Sequence, residues 1–67
     1  MEHLIAVYLE EIASGGMTGF KYFEYEEDAN EHFKKVQKDI VMYKKESIYK
    51  AVKRIVDYNE KRNSVSF

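Results

Sequence analysis

Two adjacent glycines, Gly15 and Gly16, constrain the fold of this chain more than any other feature. They separate two short runs rich in β-branched and aromatic residues, 3–12 and 18–25, and such runs are typical of β-strands. Both central positions of a type I′ turn need a positive φ, which glycine adopts without a Cβ clash. The sequence therefore predicts an antiparallel hairpin over residues 3–25 that turns at Gly15-Gly16.

This turn position also predicts which residues face one another across the hairpin. The expected pairs are Leu9 with Tyr22, Tyr8 with Phe23, Ala6 with Tyr25, and Glu10 with Lys21. The last pair joins opposite charges, which favours this register. Gly19 is a candidate bulge position, and a bulge there would shift the register by one residue.

A helix is predicted directly after the hairpin. Glu26, Glu27 and Asp28 suit the positive N-terminal end of a helix dipole. Apolar residues then recur at spacings of four, three, four and three, at Ala29, Phe33, Val36, Ile40 and Tyr43. This spacing places them on one face of an amphipathic helix over residues 27–43.

The segment 47–58, SIYKAVKRIVDY, fits either a helix or a strand by its apolar spacing. We predict a strand, because β-branched residues are dense there and a two-stranded hairpin under one helix needs a third strand. The expected fold is α+β, a three-stranded antiparallel sheet with one helix on one face in the order β-β-α-β. The alternative is β-β-α-α. Residues 1–67 are expected to form one small domain, with a frayed polar tail at 58–67.

The size of the chain predicts a need for additional support. A core built from 67 residues is marginal, and the chain has no cysteine to form a disulfide. We therefore expect self-association, most simply a homodimer. The apolar stretch Leu4–Leu9 is too short to cross a bilayer, and no basic segment precedes it as in a signal peptide. A cytoplasmic protein without membrane contact is expected.

The two halves of the chain carry opposite charge. Residues 1–33 contain eight acids and one base, whereas residues 34–67 contain ten bases and four acids. Such asymmetry either marks an interaction surface or disappears when the halves neutralise each other in the fold.

Strict alternation along the strands predicts a core face and an open face. The core face, under the helix, is expected to hold Leu4, Ala6, Tyr8, Phe23 and Tyr25. The open face is expected to hold Ile5, Val7, Leu9, Phe20 and Tyr22. One helix covers only one face, so we predict that the open face, with the acidic residues Glu11 and Glu24, binds a partner. The alternative is that the tail or the sheet twist covers it.

Residues 18–25, TGFKYFEY, resemble the aromatic strand of RNA-recognition motifs, and EEDANEHF resembles the helix start that follows it. Gly19, Phe20, Tyr22, Tyr25 and the unrestricted Glu24 match the motif, whereas Thr18 replaces its basic residue, Lys21 its small residue and Phe23 its aliphatic residue. The resemblance implies that Phe20 and Tyr22 stack on bases while Phe23 and Tyr25 lie beneath the helix. The motif covers about a quarter of the chain and lies in its acidic half.

The basic half offers a second candidate site, for single-stranded nucleic acid. Its residues are Lys44, Lys45, Lys50, Lys53 and Arg54. Tyrosines are interleaved with these cations, as in proteins that stack bases and neutralise phosphates. The alternative is a solvated surface whose lysines protect an edge strand from aggregation.

We predict no catalytic residues, no cofactor and no metal, hence a non-enzymatic protein. The only histidines, His3 and His32, lie on different predicted elements, and no phosphate-binding loop or nucleophile with partners is found. In size and element pattern the chain resembles small accessory proteins of phages that infect Gram-positive bacteria, many of which block host or defence proteins. This resemblance implies a protein-binding inhibitor in the host cytoplasm. The alternatives are a nucleic-acid-binding protein and a structural homo-oligomer.

Overall fold

The computed structural model describes residues 3–57, which form three strands and one helix. The elements are β1 (His3–Glu11), β2 (Met17–Phe23), α1 (Glu26–Met42) and β3 (Tyr49–Asp57). The strands form one antiparallel sheet in the order β2-β1-β3. The predicted α+β fold of the β-β-α-β kind is confirmed, and the β-β-α-α alternative is wrong. The predicted frayed tail, 58–67, lies outside the described residues.

The third strand forms because β1 offers a long partner. All nine residues of β3 pair with β1, from Tyr49 opposite Glu11 to Asp57 opposite His3. This central position of β1 buries Val56 beside Leu4, with Val52 packed against the same cluster. The local pattern of the segment allowed a helix, and pairing with a distant part of the chain favours the strand.

The hairpin turn is longer than predicted. Gly15 N–H donates to the carbonyl of Glu11 at 2.7 Å, and Glu11 N–H donates to the carbonyl of Gly16 at 2.7 Å. Residues 12–15 therefore form a four-residue loop. Gly15 has a φ of 74°, whereas Gly16 has no positive φ. The predicted two-residue type I′ turn is wrong, because only one glycine takes the left-handed conformation.

A bulge at Gly19 changes the register within β2. Near the turn, Leu9 pairs with Thr18, but further along Val7 pairs with Lys21, so Gly19 and Phe20 together lie opposite a single residue of β1. Gly19 has a φ of 69°, as in a bulge whose first residue is a left-handed glycine. The predicted pairs of Leu9 with Tyr22, Tyr8 with Phe23, Ala6 with Tyr25, and Glu10 with Lys21 are therefore wrong.

Because of the bulge, the β2 side chains beyond Gly19 share a face with a different set of β1 side chains than predicted. The face that packs against α1, here called the helix face, holds Ile5, Val7, Leu9 and Phe23. The opposite face, here called the free face, holds Leu4, Ala6, Tyr8, Phe20 and Tyr22. The prediction that the helix covers Leu4, Ala6 and Tyr8 is wrong, whereas Phe23 does lie on the helix face.

Near its start, the helix contacts the sheet through an alanine and an aromatic ring pair. Ala29 is fully buried, and the Phe23 ring lies 5.4 Å from the His32 ring. Glu26, Glu27 and Asp28 occupy the first turn, where the helix dipole favours acids. Tyr25 is the N-cap residue and is 63% exposed, so its predicted place in the core is wrong.

The helix ends in a Schellman motif with an unusual residue. Lys45 N–H donates to the carbonyl of Ile40 at 2.8 Å, and Lys44 N–H donates to the carbonyl of Val41 at 3.1 Å. Lys44 has a φ of 55°, in the left-handed region where glycine is usual. A residue with a Cβ is destabilised there by about 1–2 kcal/mol.

Replacing this lysine with glycine is expected to stabilise the protein. Lys44→Gly removes the left-handed strain and should raise the free energy of unfolding by about 1 kcal/mol, net of the greater flexibility of glycine in the unfolded chain. Urea unfolding followed by circular dichroism measures the change. Lys45→Gly is the control, since Lys45 has no positive φ. Equal effects of the two substitutions would contradict this explanation.

Candidate protein-binding surfaces

Three stacked aromatic rings form the most distinctive feature of the free face. The Phe20 ring lies 4.4 Å from the Tyr8 ring with planes 21° apart, and 6.0 Å from the Tyr22 ring with planes 15° apart. Tyr8 is buried, whereas Phe20 remains 39% exposed. The bulge places Phe20 here, because Gly19 lets two residues of β2 lie opposite Tyr8. We call these three rings the aromatic cluster.

Polar groups from β3 border the aromatic cluster. Arg54 Nε donates to the Tyr8 hydroxyl at 3.3 Å. Lys50 Nζ lies 3.5 Å from Glu10 Oε2, and this ion pair joins the acidic and basic halves of the chain. Exposed Met17, opposite Glu10 in the register, adds a flexible apolar group. The result is an apolar centre with a charged margin, as in protein interfaces.

The part of the free face away from the hairpin turn is buried. Leu4, Ala6, Tyr8 and Val56 form a buried cluster, against which Tyr22 and Val52 pack. The exposed apolar area on this face therefore lies around Phe20 and Met17, toward the hairpin turn. The free face is not the uniformly open platform that the sequence predicted.

The seven residues of the predicted partner-binding set do not share one surface. Ile5, Val7 and Leu9 lie on the helix face, and Val7 is 0% exposed. Their assignment to an open face is wrong, because the bulge at Gly19 reverses the relation between the strands.

The remaining members of that set lie at three places. Phe20 and Tyr22 belong to the free face, as predicted for the side away from the helix. Glu11 precedes the hairpin turn and accepts a hydrogen bond from Ser14 Oγ. Glu24 follows β2 at the opposite end of the sheet. The two acids therefore do not border one surface.

The candidate nucleic-acid residues are also divided. Lys50 and Arg54 lie on the free face, opposite Glu10 and Ala6. Lys53 lies on the helix face, where Nζ donates to Asn30 Oδ1 and approaches the Phe33 ring to 5.8 Å. Lys44 and Lys45 follow the end of the helix. The prediction that these cations line one surface is wrong.

A cleft of about 340 Å³ lies between the C-terminal half of α1 and the helix face. Val36 and Ile40 of the helix and Leu9 and Tyr49 of the sheet line it, and all four are only half-buried. This cleft was not predicted from the sequence. The sequence feature that indicates it is the apolar face of the helix, which continues to Val36 and Ile40. Opposite them, near the hairpin turn, Gly19 contributes no side chain.

A second, more polar cleft lies beside His32, with Phe23, Asp28, Glu31 and Lys35. Burial and the nearby cations Lys21 and Lys35 lower the pKa of His32, while Asp39 opposes this shift. The neutral imidazole is thereby favoured. Among residues 3–57, no three His, Asp or Glu side chains come together in a group that could hold a metal ion.

No helix within the described part of the chain is long and apolar enough to cross a membrane. Comparison of the chain with protein families, with characterised proteins and with solved structures finds no match.

Proposed function

We propose that this protein is a non-enzymatic protein-binding module that contacts its partner through the aromatic cluster. The observation that carries the proposal is the position of Phe20. Its ring is held by stacking on Tyr8 and Tyr22, yet 39% of the residue stays exposed. A rigid aromatic group that is already ordered loses little entropy on binding and is typical of interface hot spots.

The surroundings of Phe20 support a protein partner. Aromatic residues, Met and Arg are enriched in interfaces, and here Met17 and Arg54 share the free face with the rings. The resemblance to small phage accessory proteins extends the proposal to an inhibitor of a host or defence protein, acting in the host cytoplasm. A second copy of the chain is another partner that this surface could take.

Substituting the exposed ring is expected to weaken partner binding without unfolding the protein. Phe20→Ser removes the apolar anchor, and truncation of a hot-spot residue costs about 2 kcal/mol or more of binding free energy. Capture from lysate with the immobilised variants, followed by mass spectrometry, compares the proteins retained. Light scattering over a concentration series tests the second copy as partner.

Ile55→Ser is the matched control for this experiment. Ile55 is 69% exposed and large and apolar like Phe20, but it lies on the helix face, opposite Ile5. A specific partner should be lost with Phe20→Ser and retained with Ile55→Ser, with both variants folded by circular dichroism. A monomeric protein whose captured partners are unaffected by Phe20→Ser would contradict the proposal.

One observation favours single-stranded nucleic acid as a second candidate partner. Phe20 and Tyr22 lie away from the helix, as the resemblance to RNA-recognition motifs implies, and Lys50 and Arg54 share their face. However, Glu10 offsets the charge of Lys50, and Arg54 Nε already donates to Tyr8, so the described residues of this face attract phosphates only weakly.

We expect negligible oligonucleotide binding at physiological salt, measured by fluorescence anisotropy with single-stranded DNA and RNA. Few phosphate contacts give weak binding that salt abolishes. Micromolar binding lost in Lys50→Glu with Arg54→Glu, but kept in Lys53→Glu, would instead establish the second candidate. Lys53 is the control because it lies on the helix face.

A further inference from the structure

The cleft beneath the C-terminal half of α1 lies where the apolar side chains of the helix are less buried than at its start. Near the helix start, Ala29 is fully buried and has no large side chain to hold the helix away. Seven and eleven residues further on, Val36 and Ile40 line the cleft but are only half-buried, and the space of about 340 Å³ lies between them and Leu9. A ligand that removes such half-covered apolar groups from water lowers the free energy of the complex.

The size and composition of the cleft match a small-molecule site. Ligand pockets in proteins measure roughly 300–1,000 Å³ and combine apolar walls with few polar groups. This cleft is at the lower end of that range. Tyr43 and Tyr49 add ring surface for stacking and hydroxyl groups that donate or accept a hydrogen bond.

The charges around the cleft indicate the charge of its ligand. Asp39 and Lys45 are the charged residues that line it, and they have opposite signs, so the lining has no net charge. The backbone at the helix end is occupied, because the carbonyls of Asp39, Ile40 and Val41 each accept a hydrogen bond. A charged ligand would meet one attractive and one repulsive side chain and would lose its hydration.

We propose that this cleft binds a small neutral aromatic molecule of one or two rings with a single hydrogen-bonding group. The cleft shares Tyr8 with the aromatic cluster, but its other lining residues lie outside that cluster, and the inference goes beyond the proposed function. The ligand's ring occupies the space between Val36, Ile40 and Leu9, and its polar group meets a tyrosine hydroxyl.

Indole and its charged derivatives test the proposal on the full chain. Indole is neutral, indole-3-acetate adds a carboxylate, and tryptamine adds an ammonium group to the same ring. Titrations followed by methyl NMR should show saturable shifts at Leu9, Val36 and Ile40 with indole. Both charged derivatives should bind about tenfold more weakly, because each carries an unpaired charge into the cleft.

Two helix variants distinguish the cleft from other surfaces. Val36→Phe fills the space and should abolish indole binding, while thermal unfolding shows that stability is kept or raised. Val41→Phe is the control, because Val41 is 63% exposed and does not line the cleft. Met17→Ser should leave indole binding unchanged, because exposed Met17 lies on the free face and does not line the cleft, and this result separates the two surfaces.

Several results would overturn the proposal. These are shifts that do not saturate, equal or tighter binding of a charged derivative, or unchanged binding to folded Val36→Phe. If Val36→Phe fails to fold, the comparison of the three indole compounds on the unaltered protein decides the question.

Discussion

Tyr8→Ala is expected to remove a large part of the stability of the protein. Tyr8 is buried at the centre of the sheet, its ring stacks on Phe20 at 4.4 Å, and its hydroxyl accepts a hydrogen bond from Arg54. Replacing a buried aromatic residue by alanine costs about 3–5 kcal/mol. A folded chain of this size is stable by roughly 3–10 kcal/mol in total. The loss is therefore a large fraction of the total stability, and urea unfolding followed by circular dichroism measures it.

Tyr8→Phe separates the ring from its hydroxyl. This variant keeps the stacking on Phe20 and loses only the hydrogen bond with Arg54, which contributes about 0.5–1.5 kcal/mol. We therefore expect Tyr8→Phe to remain folded. If Tyr8→Ala reduced the free energy of unfolding less than Tyr8→Phe does, the ring would not be a core group. The importance of the free face for stability would then be refuted.

Local signals in the sequence predicted the elements of this fold well. Adjacent glycines indicated the hairpin, and the recurring apolar residues from Ala29 onward indicated the helix, whose observed bounds differ by one residue at each end. These signals depend on residues close together in the sequence. One is a glycine at a left-handed turn position, and the other is an apolar repeat of 3.6 residues. They need no knowledge of distant contacts.

The faces of the sheet could not be predicted in the same way. Which side a strand residue faces depends on register, and a shift of one residue moves every side chain to the other side. Here a single extra residue at Gly19 moves Phe20 and Tyr22 to the side of Ala6 and Tyr8. The sequence suggested a bulge at Gly19. Only the pairing of the strands shows which side chains of β2 then share a face with which side chains of β1.

The candidate sites depended on these faces, so they were predicted only in part. The rings of Phe20 and Tyr22 were correctly placed away from the helix, but their β1 neighbours on that face are Ala6 and Tyr8 rather than the predicted Ile5, Val7 and Leu9. Lys53 was grouped with Arg54, although adjacent strand residues point to opposite faces. The cleft under the helix depends on the distance between helix and sheet, which no local pattern specifies.

Substitution of Gly19 tests whether the bulge sets these faces. Gly19 has a φ of 69°, and a Cβ built there meets nothing within 4 Å, so only the backbone conformation opposes a side chain. Gly19→Ala should cost about 1–2 kcal/mol. Gly19→Val should cost more, because a β-branched residue is a rare outlier at positive φ.

Gly16→Ala is the matched control, because Gly16 lies in the same hairpin and has no positive φ. Its new Cβ would approach only Ser14 Oγ, at 3.2 Å, and a surface change of this kind costs within about 0.5 kcal/mol. Gly19→Val should also weaken the nuclear Overhauser contacts between the Tyr8 and Phe20 rings, since loss of the bulge moves Phe20 out of register. If Gly19→Val proved as mild as Gly16→Ala and kept those contacts, the bulge would not be what places Phe20 on the free face.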